Sequence, residues 1–177
     1  MKPIALPLTL DIAGIPVPAG SKTAIRMGER IVMVPAGLTQ KLQQRRRDWH
    51  SAVELAGTQA AGPGKVRKDA LSLSIVFVMP RPKHHYGTGR NDGIIKERFV
   101  SARPTGKPDT TKLLRCVEDR LTGILWHDDA QIVMQMASKQ YTKQGEDSGA
   151  YVCVDSFDET VLLSNPMEKI LCPTTPN

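Results

Sequence analysis

The sequence is short of cysteine and of long apolar runs, and both shortages narrow what the chain can be. Three cysteines (Cys116, Cys153 and Cys172) form no CxxC pair and leave an odd one over. That is too sparse to staple a small secreted fold, so a reducing cytosol is the expected setting and the thiols read as packing residues. The longest apolar run, from Ala70 to Pro80, has 11 residues, against the roughly 20 needed to cross a bilayer. Residues 1–20 are broken by Asp11 and four prolines, so neither a membrane span nor a signal peptide is expected. No internal repeat is present, and at 40% hydrophobic and 24% charged residues the composition excludes a chain that is disordered throughout.

At 177 residues there is room for one well-buried core. The expected organisation is a single domain over residues 1–160 followed by a tail over 161–177, where prolines stand at 166, 173 and 176. Lysine and arginine outnumber aspartate and glutamate by 24 to 18, a net charge of +6, so the field around the molecule favours polyanions such as nucleic acid or anionic lipid.

Hydrophobic spacing supplies the elements. Residues 4–15 read as a strand, followed by a proline-rich edge at residues 14–20 and a loop or short hairpin over 21–35. From Leu38 the spacing becomes helical, with Leu42, Trp49, Val53 and Ala56 on one side, and the helix ends near Gly57 to Gly64. Residues 70–79 alternate and then thicken into a buried strand. A second helix starts at Asp109 or Thr110, carries Leu113, Leu114, Val117 and Leu121, and stops at Gly123. Residues 130–141 and 149–157 complete the order as two paired strands. The expected fold class is therefore α+β: a single small mixed sheet with packed helices.

Between the buried strand and the second helix, residues 80–107 show no periodicity. They hold Arg81, Lys83, Arg90, Lys96, Arg98, Arg103 and Lys107 against Asp92 and Glu97, a local charge of 7 − 2 = +5. Most of the excess positive charge thus sits in one irregular loop, a natural partner for a DNA backbone. The run Arg45, Arg46 and Arg47 offers a second phosphate contact, or is a solvated helix face.

The segment most concentrated in chemistry is KPDTTKLLRCVEDRLTGILWHDDAQ, residues 107–131. Asp109 stands at the mouth of the helix, and Asp128 and Asp129 lie just past its end. Magnesium takes oxygen ligands and is held by one or two carboxylates plus substrate phosphate. Such an ion activates water and offsets charge during displacement at a phosphodiester, and free amides at a helix start can meet phosphate oxygens. A helix of about 13 residues is roughly 20 Å long, so residues 123–126 must fold back if Asp109 and Asp129 are to share an ion. The alternatives are structural: Asp109 as an N-cap accepting from the amides of Thr111 and Lys112, Asp128 and Asp129 as a turn, and Glu118 and Asp119 as members of an intrahelical salt-bridge lattice with Arg115 and Arg120. His84 and His85 lack partners at a metal-ligand spacing, and phosphate contact or exposure is the expectation for them. Gly87 and Gly89 read as loop flexibility rather than a phosphate cradle.

From Lys107-Pro-Asp109 through Leu113, Asp119 and Leu121 to the WHDDAQ run at residues 126–131, and in the 81–90 segment RPKHHYGTGR, the sequence resembles the RusA family of Holliday-junction resolvases, particularly phage members. The likeness covers residues 4–157. It implies a homodimeric, Mg2+-dependent endonuclease, with Mn2+ as the substitute ion, that nicks two opposed strands of a four-way DNA junction. It maps metal-site carboxylates to Asp109 and Asp129. The family's second aspartate falls on Thr111, and its lysine falls on Arg115, with Lys112 one turn earlier. Threonine keeps an oxygen ligand but loses a charge, so either the site works with a weaker third ligand or Asp128, Glu118 or Asp155 supplies the missing oxygen. Arginine stays protonated, so Arg115 can stabilise phosphate but cannot serve as a base.

Overall fold

The computed structural model describes residues 2–20, 22–35 and 39–157, so the tail expected at 161–177 and Cys172 lie outside the described residues. Six strands and two α-helices are present among them: β1 (Leu8–Ala13), β2 (Lys22–Met27), β3 (Arg30–Pro35), α1 (Gln40–Ala61), β4 (Leu71–Met79), α2 (Thr110–Leu121), β5 (Ile132–Tyr141) and β6 (Gly149–Ser156). β2 and β3 form a separate antiparallel hairpin, and the other four strands make a mixed sheet in the order β1-β6-β4-β5. The α+β expectation is met.

Three local expectations change. The first strand is shorter than residues 4–15. Pro7 has no N–H to give a ladder, and upstream of it Ile4 turns to Lys65, its amide donating to that carbonyl at 3.0 Å. The hairpin choice holds over residues 22–35. The last two strands do not pair with each other: β6 runs antiparallel between β1 and β4, whereas β5 lies parallel on the far side of β4. The reason is burial. β4 is buried at Leu71, Leu73, Ile75, Phe77, Val78 and Met79 and needs cover on both edges and both faces. β5, with Val133 and Met136 exposed, tolerates the edge.

The helices lie where their apolar faces dictate. Thr39 caps α1, its side chain accepting from the Leu42 amide at 3.3 Å, and Gly62, at φ +53°, ends it with its amide on the Thr58 carbonyl in the left-handed conformation that suits glycine. Trp49, Val53 and Gly57, spaced by four, are its buried face. A Cβ at Gly57 would stand 2.5 Å from Leu121 Cδ2, so the glycine is what lets α1 and α2 approach so closely. α2 buries Leu113, Leu114, Val117 and Leu121, the stripe its spacing predicts. These side chains join Leu10, Ile12, Phe77, Trp126, Val152 and Val154 in one core. Cys116 belongs to that core too, and burial pushes its thiol up to about 11, the behaviour of an inert packing cysteine.

Candidate active site

α2 emerges from a pinned lead-in. Lys139 on β5 donates from Nζ to the carbonyls of Gly106 (2.6 Å) and Pro108 (2.9 Å), which fixes the chain entering the helix against the sheet. Asp109 then takes the N-cap position with extended backbone (φ −68°, ψ 140°), but its side chain makes no capping hydrogen bond. Its carboxylate faces Lys112 Nζ at 3.5 Å, and both groups are more than half exposed. Capping therefore does not account for this residue. The carboxylate stands at the positive end of the helix with its oxygens open to solvent.

Past the far end of α2 the chain turns back along the start of β4. Asp128 N-caps the single 3-10 turn Asp129–Gln131: its Oδ1 accepts from the Ala130 amide at 2.9 Å, and Gln131 Oε1 accepts from the amides of His127 and Asp128, each at 2.9 Å. Gln131 Nε2 also donates to the Asp69 carbonyl at 2.9 Å. The Ala130 amide, followed by a hydrogen bond with the Asp129 side chain, holds the Asp128 carboxyl below the usual range. Asp128 is thus occupied in shaping the turn, and Asp129 is the exposed carboxylate the turn presents.

Glu118 links that turn to the helix. It is buried, and Gln135 on β5 donates an amide hydrogen bond to its Oε1. Its carboxyl is pushed up first by burial, then by the negative charges of Asp129 and Asp119, with Arg115 opposing. The expected salt-bridge lattice is not the arrangement found: Arg120 reaches across to Glu54 on α1 at 3.2 Å. Thr111, Arg115 and Glu118, at spacings of four and three, form one row along α2. Asp109 and Glu118 are nine residues apart, about 13 Å along the axis. The acids therefore divide between the N-terminal end of α2, with Asp109 and Lys112, and its C-terminal half, with Glu118 and Asp129. Among the described residues no three His, Cys, Asp or Glu side chains gather into a metal-holding group. Asp155, on β6, accepts locally from the Ser156 amide.

A family model described as endodeoxyribonuclease RusA matches residues 24–152, which is 129 of the 177 residues, and spans both ends of this acidic row. The chain belongs to the RusA endodeoxyribonuclease family. Membership makes it a DNA-cleaving hydrolase of the kind that resolves Holliday junctions, with branched DNA as its substrate; RusA nucleases are in general dependent on a divalent metal. No curated protein matches the chain. No helix of the described residues is long and apolar enough to cross a membrane.

The cations of the basic loop over residues 80–107, expected from its charge to face DNA, fall into two kinds. Arg81 is committed to the protein: its guanidinium donates to the carbonyls of Thr142 (2.6 Å), Phe99 and Val100 (3.1 Å). Lys96 donates to the His84 carbonyl at 3.1 Å. Lys83, Arg90, Arg98, Arg103 and Lys107 are exposed. Three short 3-10 turns, Lys83–His85, Gly89–Asn91 and Glu97–Phe99, give the loop its shape. His85 is neither exposed nor a phosphate contact. It is buried, stacked on Phe99 at 4.2 Å with Tyr141 edge-on at 5.1 Å, and burial, followed by the charges of His84, Arg81 and Lys96, lowers its pKa. Gly87 serves close approach rather than flexibility, since a Cβ there would meet the Asn91 carbonyl at 2.3 Å. The Arg45–Arg47 run also splits, with Arg45 and Arg47 exposed and Arg46 half-buried.

Sequence reading did not find Gln135 and Lys139, which position the site from β5, or the orientation of Glu118. The four-and-three spacing of Thr111, Arg115 and Glu118 is the signal that points to that shared row.

Proposed function

We propose that this RusA nuclease resolves or debranches four-way DNA junctions by Mg2+-dependent hydrolysis, as a homodimer in the bacterial cytoplasm, making paired nicks in opposed strands. Asp129 would hold the ion and Asp109, toward the other end of α2, would reach it through the water shell that magnesium keeps; Thr111 and the Asp128 oxygen that does not cap the turn would supply auxiliary oxygens, and Lys112 and Arg115 would stabilise the scissile phosphate. The observation that carries this reading is the exposed Asp129 carboxylate presented beside Glu118 of the Thr111–Arg115–Glu118 row, where burial first and then the charges of Asp129 and Asp119 raise the Glu118 carboxyl. Two carboxylates in mutual repulsion fit a hard cation, which needs one or two such ligands when substrate phosphate supplies the rest. When bound, the ion supplies a polarised water and offsets charge on the phosphodiester. A twofold assembly suits a nearly twofold junction that needs two cuts.

A second reading is a junction-binding protein with a weakened site. It is favoured by Thr111 at a family aspartate position and by the lack of a three-acid group among the described residues. One assay separates the two. End-labelled four-way junction is incubated with and without Mg2+, using the wild-type chain, Asp109→Asn, Asp129→Asn and Thr111→Asp. Paired nicks that need Mg2+ and vanish in both Asn variants support the nuclease, and Thr111→Asp should lower the Mg2+ required. Tight, salt-sensitive binding without nicking supports the second reading. Equal nicking in all variants removes the site assignment.

A further inference from the structure

A second, basic site lies on the adjoining face of α2. A cleft of about 640 Å3 opens between α1, α2 and the proline-rich segment ending at Gly20, and Arg46, His50, Lys112, Arg115 and Arg120 line it, with Asp119 as its acid. The cleft has a fixed wall, because the Ala19 amide donates to the Lys112 carbonyl at 2.8 Å. Four guanidinium or ammonium groups against one lining carboxylate leave the cleft positive, even with Lys112 and Arg120 partnered from outside it by Asp109 and Glu54.

The individual cations sharpen this. Arg46 Nε is buried and has no hydrogen-bond partner among the described residues. A buried guanidinium N–H left unpaired is costly, and a ligand oxygen would satisfy it. Its terminal nitrogens lie against the Gly20 backbone, where a Cβ would stand 2.8 Å from Nη1; glycine leaves room for the guanidinium to sit there. Arg115 makes no hydrogen bond or ion pair with another described residue, while Arg120 and Lys112 have exposed outer partners in Glu54 and Asp109. His50 is half-buried beside Arg120 and Arg46, and burial followed by those two charges keeps its imidazole neutral to lower pH than usual, against the opposing pull of Glu54 and Asp119.

We infer that this cleft is a phosphate pocket, which seats a second backbone phosphodiester of the strand whose scissile phosphate lies at the acidic face. Arginine forks suit phosphate oxygens in pairs. Arg115 belongs both to the cleft and to the row facing Asp129, so a strand held in the cleft continues onto the acidic face. The choice of DNA as the source of the phosphate rests on the proposed function, whereas the pocket's affinity for phosphate does not.

The test uses the full chain without divalent ion. Inorganic phosphate is titrated while the His50 ring resonances are followed by NMR, and junction affinity is measured over a salt series. Phosphate should shift the His50 signals and raise its pKa in the wild type, and do neither in Arg46→Gln. Junction affinity should fall about tenfold in Arg46→Gln, and the slope of log affinity against log salt should drop by about 0.9, the loss of one phosphate contact. Gly20→Ala, which displaces the guanidinium without removing its charge, should weaken binding in the same direction, and Arg46→Lys should recover part of it. An unchanged salt slope in Arg46→Gln, or a His50 response to phosphate equal in wild type and variant, overturns the pocket. Absence of Mg2+-dependent nicking in a wild type that shows both effects overturns the nuclease reading and leaves the pocket standing.

Discussion

Two adjoining faces of α2, which share Arg115, do opposite electrostatic work. On one side Thr111, Arg115 and Glu118 face Asp129, and negative charge is crowded there against burial. On the other, Lys112, Arg115, Asp119 and Arg120 meet Arg46 and His50 of α1, and positive charge is crowded instead. A single helix can separate the two because its rows are fixed by a 100° step per residue. It can hold both at once because Leu113, Val117 and Leu121 pin it to the core. On the proposed roles, binding and chemistry are divided by helix face rather than by domain, so substitutions on the two faces should separate into two classes.

The largest effect should come from the acidic face. Asp129→Asn is expected to lower nicking by about 100-fold or more, in the range seen when one preorganised electrostatic group is removed, while junction binding without divalent ion is retained or tightened. A gel-shift and cleavage series with Arg46→Gln alongside checks this: parallel loss of binding in both variants would break the distinction between the faces. Gly57→Ala comes next, since its Cβ would collide with Leu121 and push α1 and α2 apart. Overpacking of this kind costs about 1–3 kcal/mol, a fall of roughly 2–4 °C in Tm per kcal/mol for a chain of this size, and both activities should weaken together.

Glu118→Gln probes the repulsion itself. The Glu118 carboxyl is raised in the folded protein, so the native state holds a proton that the unfolded chain has released. Stability is therefore lost as pH rises through that raised pKa and is undiminished below the ordinary value of 4.5. The glutamine variant should melt higher than wild type at pH 8 in chelator and equally at pH 4; thermal melts at the two values decide it. The smallest effect should be at His85, whose lowered pKa acts in the other direction. The unfolded chain binds a proton near pH 6.5 that the native loop refuses, so stability should decline modestly as pH falls from 7 to 5, and His85→Phe should flatten that decline in chemical denaturation.

Sequence spacing was enough to place α2, because Asp109 and Gly123 bracket an uninterrupted apolar stripe, and enough to mark β4 as buried. It could not order the strands. β5 and β6 are neighbours in sequence with a polar turn between them, the usual signature of a hairpin, and only the two-sided burial of β4 separates them. The site was half legible. Asp109, Asp129 and Arg115 stand out by motif, but Glu118 looked like one more charge on a helix until Gln135 was found against it. Arg46 differs from Arg45 and Arg47 by its place three residues before Trp49, on the rim of the buried face, a distinction a run of three arginines conceals. Arg81 reads from sequence as one more DNA-facing cation of the loop, because spacing gives no hint that three carbonyls already hold it.

That Arg81 tether has a consequence for how a branched substrate is chosen. With its guanidinium joining the end of β5 to the 99–100 turn, the loop holds its form before any nucleic acid arrives, and little ordering entropy is left to spend on contact. A stiff jaw of this kind cannot mould itself to whatever duplex it touches. Where the loop meets DNA as its charge leads one to expect, a junction whose arms swing about their crossover is the partner that supplies the accommodation, and discrimination between branched and linear DNA becomes a question of which partner is able to bend.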